Sequence, residues 1–399
     1  AYAEVGAILG KDFKIKKAKL RGEVSHGMLC SAKELGLAQS SEGLFELPED
    51  APVGEEIADY LQLDDHILDI GLTPNRGDCL SYLGMAREIS AITDQPMHPF
   101  SVKDVAEVSP KKVTVLLQEP SACPRYCGRL IHNVNTSAPT PIWLQERLRR
   151  SGIRSISIVV DVLNYVMLAL GQPMHAFDAQ KITGDIIVRT GVSGEKITLL
   201  DEQVIELDEK TLVIADTKNV LALAGVMGGL ASGVTTATQD IFLESAHFTP
   251  TQIAQTARRY RLHSDSSHRF ERGVDVELPL KALHYASALI QELAQGEAGP
   301  ITHADSTEHL PTHPEIRVSS VHVNQLLGTD LALHDMEKML HSLGMKVSVE
   351  GHDLCVRPPS YRFDMTIAED VIEEIARLHG YDNIPLHVLP TIVQVNVLS

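Results

Sequence analysis

The chain has 399 residues, a formal net charge of −18, and 44% hydrophobic against 22% charged residues. That length predicts about two to four domains rather than one core, and the balance is that of a soluble globular protein. The negative charge argues against non-specific nucleic-acid binding by the whole surface, and no run approaches the roughly 18 apolar residues of a membrane span.

No basic–apolar–small leader opens the chain, so export is not indicated. It begins without Met on "AYAEVGAILG", which reads like the middle of a domain and suggests an excised fragment. The five cysteines, at 30, 79, 123, 127 and 355, are scattered. Cys123 and Cys127 form a C-x3-C pair without a second half, so reduced structural thiols and a cytoplasmic location are expected rather than zinc.

Residues 1–58 read as strands with Gly and Pro punctuation. Within them, Lys11, Lys14, Lys16, Lys17, Lys19 and Arg21 suggest a strand with one basic face, or simply a solvated face. A strand "HILDIGL" then leads into the turn "TPNRGD" and a helix over 81–93, with apolar Leu83, Met85, Ala86, Ile89 and Ile92. Asp78 is a candidate cap for that helix if it starts earlier. Residues 96–112, with Pro96, Pro99 and Pro110, read as a linker.

After it, "KVTVLL" and "YCGRLIHNV" read as strands. "TPIWLQERLRRSG" is a helix with Thr140 as cap and Pro141 at its first position. Arg147, Arg149, Arg150 and Arg154 make a second basic patch. "VVDVLNYVMLAL" is a helix ended by Gly171 and Pro173. From 184 to 246 six strands alternate in the pattern of a mostly antiparallel sheet. A helix follows over 249–259, then a polar stretch, then a long helix over 280–295. Residues 299–314 read as a second linker. The tail, 315–389, has strand "EIRVSS", a helix over 335–343, strands "KVSVE" and "LCVRPP", and a helix from about Ile367.

Four features carry candidate chemistry. His175 follows the apolar helix and Pro173; it is either a satisfied core histidine or a neutral imidazole that orients water near pH 7. Gly225, Gly228 and Gly229 in "ALAGVMGGLASG" make either a tight turn or a close backbone approach to a ligand, and their spacing is not a dinucleotide fingerprint. Glu244 in "IFLESAHF" shares a strand face with Phe242; if buried, its carboxylate needs a hydrogen-bond partner, and a phenolic hydroxyl would serve. Asp370, Glu373 and Glu374 fall at i, i+3 and i+4 on one helix face, with Asp364 just before a capping box of Thr366 and Glu369. Such oxygen-only ligands suit Mg²⁺, or else form a solvated face. Since no Walker loop, H-E-x-x-H, paired C-x-x-C or nucleophile-elbow Ser occurs, hydrolysis would use a positioned water.

The blocks "LTPNRGDCLSYLGMARE", "IWLQERLRRSGIRSI", "VVDVLNYVMLALGQPMHAFD", "LAGVMGG", "LHSDSSHRFERGVD" and "SYRFDMTIAEDVIEEIARLHGYDNIP" follow in that order. Together they resemble the β chains of bacterial phenylalanine–tRNA ligases, over residues 1 to about 390. The resemblance implies a multidomain α+β chain. Residues 1–58 would be a partial tRNA-binding OB-fold and 59–100 a segment of the first module (B1). Residues 113–298 would be the mixed α/β B3/B4 editing module with a mostly antiparallel sheet. Residues 311–388 would be a small, winged-helix-like B5 domain. The chain's start, the catalytic-like module and the anticodon-binding domain would be missing, so the fragment would not aminoacylate by itself.

The implied enzyme is an α₂β₂ ligase whose α chain binds ATP and phenylalanine. The β chain would contact tRNA(Phe) and hydrolyse mischarged Tyr-tRNA(Phe), with tyrosine as editing ligand and no membrane partner. By resemblance the site residues are His175, Asn164, Gly228 and Glu244, with Arg154 at the pocket rim. Asp364, Asp370, Glu373 and Glu374 match the family's Mg²⁺ positions. Two departures bear on the pocket. Leu163 in "VLNY" stands where the family usually has Thr. Ser266 in "SDSSHR" stands where it often has Ala, and Ser264 replaces Thr conservatively. The rival reading is a non-catalytic tRNA-binding and subunit-interaction scaffold whose pocket has drifted. A DNA-binding tail rests on fold analogy alone, and the acidic surface weakens it.

Overall fold

The computed structural model describes residues 1–10, 13–41, 43–98 and 100–386, apart from the side chain of Leu20. Lys11, Pro99 and the last two residues of the 311–388 span lie outside the described residues. The chain divides into two compact units, Ala1–Asp69 and Ile70–Ser399.

The first unit holds β1 (Tyr2–Glu4), β2 (Ile8–Leu9), β3 (Phe13–Lys14), β4 (Ala18–Leu20), β5 (Glu23–Ser25) and β6 (Gly27–Leu29). They pair antiparallel as β1–β6, β2–β3 and β4–β5 around a small core of Ala3, Ile15 and Cys30. Strand structure stops at Leu29, earlier than expected, and residues 30–56 form turns and loops ahead of the one-turn helix α1 (Ile57–Tyr60). The expected strand at 66–72 does not form either. A strand needs a neighbour for its backbone groups, and none pairs with this stretch among the described residues; Ile67, Leu68 and Ile70 are exposed.

In the second unit α2 (Tyr82–Thr93) is capped by Ser81, whose Oγ accepts from Gly84 N at 3.0 Å. Asp78 is not the cap; its carboxylate accepts from Arg76. Ile89 and Ile92 are exposed while Glu88 is buried, so the apolar stripe of this helix is only partly inward. Next come β7 (Val115–Leu117), β8 (Arg125–His132), α3 (Ile142–Arg150) and α4 (Ile158–Leu170). Pro141, not Thr140, flanks α3; the Thr140 hydroxyl donates to buried Asp161 at 2.6 Å, a tie between the two helices that local spacing does not reveal. Gly171, at φ +86°, ends α4 in the left-handed conformation that glycine tolerates best.

The chain then adds β9 (Met174–Asp178), β10 (Ile186–Thr190), β11 (Lys196–Thr198), β12 (Val204–Glu206), β13 (Leu212–Ala215), β14 (Val220–Leu223), β15 (Met227–Gly228) and β16 (Ile241–His247). Helices α5 (Pro250–Tyr260), α6 (Asp265–Phe270) and α7 (Leu278–Ala294) follow, and β17 (Glu297–Asp305) closes the module. The start of the presumed second linker is therefore a strand: β17 pairs antiparallel along β8, and this edge position satisfies a backbone whose composition reads as loop.

Among the described residues the central sheet runs β17-β8-β16-β9, all antiparallel. Its alternate residues serve two cores. Cys127, Ile131, Ala176, Ile241 and Leu243 pack on α3, α4 and α7 with Leu144, Val162, Leu163 and Ala286. Tyr126, Leu130, Phe177, Phe242 and Ala246 face a second sheet, β15-β14-β13-β10-β7, with Val188, Val213 and Leu223. That sheet is antiparallel except where β10 meets β7. The result is a mixed α+β architecture of helices, sheet and sheet, and each face of the central sheet is covered.

The tail folds as β18 (Ile316–Ser319), α8 (Ser320–Leu327), α9 (Leu333–Ser342), β19 (Lys346–Glu350), β20 (Asp353–Arg357) and α10 (Ala368–His379), with sheet order β18-β20-β19. Met336, Leu340, Leu354, Val371 and Ile375 form its core. A buried ion-pair chain fastens α10. Arg362 reaches Glu374 at 2.9 Å and Asp364 at 2.8 Å. Arg377 bonds Glu374 at 2.6 Å and also Glu88 on α2, and Arg76 meets Glu88 at 2.8 Å. Buried charges of this kind are stable only when every partner is present. Truncating Arg362→Ala leaves Glu374 short of a partner; urea denaturation followed at the tail should show a loss of about 3–5 kcal/mol.

Candidate active site

Gln172, Pro173 and His175 act at the entrance of β9. The buried Gln172 Nε2 donates to Ala246 O at 2.9 Å and so ties the turn to β16. Pro173, which has no N–H to offer a ladder, precedes the strand, as edge strands allow. From there β9 pairs with β16 so that His175 lies directly opposite Glu244, and Phe177 opposite Phe242. Directly opposed residues of an antiparallel pair share a face. His175 and Glu244 therefore project together toward the second sheet, away from the helices.

Gly228 closes the cluster from that second sheet. A Cβ there would run into the His175 ring, 2.7 Å from Nε2, and stand 3.2 Å from Leu200 Cδ1. Only glycine allows this approach. The His175 ring packs edge-on against Phe177 with centroids 4.5 Å apart. Its Nε2 is buried and has no hydrogen-bond partner. Burial lowers its pKa from 6.5 to about 4, so the imidazole is neutral at pH 7.

Glu244 is 7% exposed. Its Oε2 accepts the Tyr126 hydroxyl at 2.8 Å. The expected phenol is thus present, but it comes from the protein's own β8. No described hydrogen bond reaches the other oxygen, Oε1. Burial pushes the carboxyl pKa up, the Tyr126 bond pulls it down, and the balance is about 7. Tyr126 itself is driven well above the ordinary phenol range, first by burial and then by Glu244, so it remains a donor. Sequence reasoning missed Tyr126. Its signal was available, since strand alternation in "RYCGRLIH" puts Tyr126 on the face of Leu130, but the β8–β16 register was not.

The remaining candidates divide. Ser264 caps α6, accepting from Ser267 N at 3.1 Å and donating to Val226 O at 2.7 Å. Ser266 Oγ donates to Gly225 O at 2.9 Å. Both hydroxyls therefore brace the turn that carries Gly228. Leu163 is buried in the helix-side core, on the far face of the central sheet from Glu244. Asn164, half-buried on the same helix, makes none of the described hydrogen bonds to the cluster. Arg154 is exposed in the loop after α3. Two cavities, of about 410 and 480 Å³, lie elsewhere. One is lined by Tyr82, Phe100, Arg147, Tyr165 and Tyr285, the other by His247, Arg272, His313 and Phe363.

The four carboxylates read as a Mg²⁺ set do not converge, which corrects that expectation. Asp364 and Glu374 are occupied by Arg362 and Arg377. Asp370, rather than Glu369, closes the helix cap, accepting from Thr366 N at 2.7 Å and Ile367 N at 2.9 Å. Glu373 faces solvent. Helix turn spacing alone put these oxygens together; burial of Glu374 and the guanidinium partners separate them. A divalent cation here would meet arginine charges, so the residues present do not fit one. Among the described residues no group of three or more His, Cys, Asp or Glu is arranged to hold a metal ion. All five cysteines are free and buried.

Residues 3–56 match the tRNA binding domain family, 122–295 the B3/4 domain family and 316–381 the tRNA synthetase B5 domain family. That combination defines a chain of an aminoacyl-tRNA synthetase. The phenylalanine–tRNA ligase beta subunit of Hahella chejuensis is 52% identical over 96% of this chain and 49% of its own length. That of Idiomarina loihiensis is 52% identical over 96% of this chain and 48% of its own. The chain belongs to the phenylalanine–tRNA ligase beta-subunit family, and it spans about half the length of the curated relatives it matches. A solved N-terminal fragment of the phenylalanyl-tRNA synthetase beta-subunit from Pyrococcus horikoshii covers 77% of this chain and 85% of its own, at 18% identity and a TM-score of 0.39, too weak a likeness to build on.

The buried carboxyl has a cost in stability with a definite sign. Glu244 holds its proton more tightly folded than unfolded, so the folded state loses stability as pH rises from about 4.5 to about 7 and then levels off. Glu244→Gln removes that cost. Thermal or urea denaturation at pH 8 should find the variant more stable by about 3 kcal/mol, the gap closing below about pH 4.5.

Proposed function

We propose that this chain is the tRNA-facing half of a phenylalanine–tRNA ligase β chain, and that the Glu244–His175–Gly228 cluster hydrolyses mischarged Tyr-tRNA(Phe). The observation that carries this reading is the buried acid with one unengaged oxygen, set beside a neutral imidazole and a glycine from a second sheet. A site that hydrogen-bonds a substrate hydroxyl rejects the analogue lacking it, because the buried polar group is then left unpaired. Glu244 Oε1 would receive the phenol of tyrosine, and phenylalanine would leave it unanswered. Gly228 leaves room for the His175 ring to sit beside the acid, and Leu200, exposed next to it, flanks the entry.

His175 would orient a water for addition to the aminoacyl carbonyl. The ester C–O bond then breaks, and the products are tyrosine and the free ribose hydroxyl of the tRNA. Backbone amides near the cluster would stabilise the oxyanion. Asn164 would join them by reaching around β9, which is the edge strand of its sheet. Arg154 would contact the tRNA end. Spans 1–58, 59–100, 113–298 and 311–388 are assigned as partial OB-fold, B1 segment, editing module and B5 domain. The complete enzyme would act in the cytoplasm as α₂β₂, with ATP and Mg²⁺ used for aminoacylation by the α chain. No helix of the described residues is long and apolar enough to cross a membrane.

A second reading, a scaffold with a drifted pocket, is favoured by one observation: Tyr126 already answers Glu244 from within. Hydrolysis of Tyr-tRNA(Phe) separates the two. With His175→Ala and with Glu244→Ala the rate should fall about 100-fold or more. Equal rates in the wild-type chain and both variants would leave the scaffold reading standing.

A further inference from the structure

We infer that Tyr126 is a positioning and specificity residue of this site: by donating to Glu244 Oε2, it turns Oε1 toward the incoming side chain and keeps the carboxyl an acceptor. The inference rests on the editing function proposed above and goes beyond it, since it explains how a buried acid can read a phenol at all. A freely rotating carboxyl presents either oxygen, in either protonation state. A protonated one donates as well as accepts, and so discriminates poorly between ligands.

The geometry limits that freedom. Tyr126 is fully buried on β8, opposite Ala246, two residues along β16 from Glu244 and on the same face. Its hydroxyl sits 2.8 Å from Oε2. Gly128, directly across from Glu244, contributes no side chain. A Cβ on Gly128 would run into the Phe242 ring, so the space beside the acid is filled by an apolar group. The titratable groups that face Glu244 are Tyr126 on β8, Cys123 before it and His175 on β9. Tyr126 and Cys123 are both held neutral at pH 7, by burial first and then by Glu244 itself. His175 is neutral through burial. No cation from β8, β9 or the second sheet is seen to bond the carboxylate. The phenol donor is therefore the group that opposes desolvation, and the carboxyl rests near the middle of the physiological range because of it.

Removing that hydroxyl has a consequence that loss of packing does not share. In Tyr126→Phe the ring still fills its place, but the acid loses its one compensating bond and holds its proton to higher pH. The test is the pH dependence of Tyr-tRNA(Phe) hydrolysis by the whole chain, wild type against Tyr126→Phe, with Glu244→Gln as control. The expected result is an acidic limb displaced upward from about 7 by at least one pH unit. At pH 7 preference for tyrosyl over phenylalanyl ester should fall about 10-fold, largely through KM, with recovery toward pH 9. An unchanged limb and unchanged preference in Tyr126→Phe, while Glu244→Gln abolishes hydrolysis, would overturn the role of Tyr126 and leave the editing function intact. If Glu244→Gln hydrolyses as fast as wild type, the editing function itself falls.

A readout on the wild-type chain guards against a variant that fails to fold. Infrared titration should show a buried carboxylic acid band that disappears near pH 7 and is missing from Glu244→Gln. A Glu244 band that titrates at an ordinary carboxylate value would also overturn the inference.

Discussion

A carboxylate enclosed between two sheets, with a phenol as its partner and, among the described residues, no cation bonded to it, is the constraint on which this module turns. Desolvating an acid is costly, and the usual remedy is an arginine or lysine. Here neither lies on the face of the central sheet that carries Glu244; Arg125 and Arg129 of β8 stand on the other face. Glu244 stands opposite His175 and Gly128, and Tyr126 bonds it from along the neighbouring strand. The tail of the same chain shows the other solution: Glu374, equally buried, is held by Arg362 and Arg377, and its carboxyl is pulled down to about 2 despite burial. One acid is stabilised as a charge and serves the fold. The other is poised, and such poise suits recognition and chemistry.

The architecture makes that poise possible. β16 lies inside the central sheet and is buried along its whole length, which excludes water from Glu244. β9 lies at its edge, where His175 can remain half-exposed while its inner nitrogen is enclosed. Gly228 comes from the edge of the second sheet, and the two edges converge there. Ser264 and Ser266 then brace the glycine turn from α6. The Ser266 hydroxyl is hydrogen-bonded to the Gly225 backbone carbonyl, so it contributes to the rigidity of the turn.

Much of the local structure was legible. Periodicity placed α4, α7 and six of the seven strands between 186 and 247 within a few residues, β15 excepted, since both faces of the central strands and the inner face of each helix are apolar. What escaped was structure that depends on a distant partner. The segment of β9 was given no element after Pro173, and most of β17 was read as linker because Pro and Gly dominate that stretch, yet each is a strand once it lies along β16 or β8. The converse is the stretch 66–72, strand-like in pattern and without a strand partner among the described residues. α6 was hidden in a polar run because its stability comes from the Ser264–Ser267 cap.

By itself the sequence determined which residues are chemically capable: a histidine behind a proline, a glycine-rich turn, an acid in an apolar strand, and the ordered blocks that identify the family. Those follow from residue type and short-range spacing, which the chain carries with it. Tertiary structure alone decided which of them meet. Strand register set His175 against Glu244 and brought Tyr126 within 2.8 Å, while burial beside arginines turned the acidic helix face into a clamp instead of a cation site. Register and burial are properties of pairs far apart in the chain, and no local pattern encodes them.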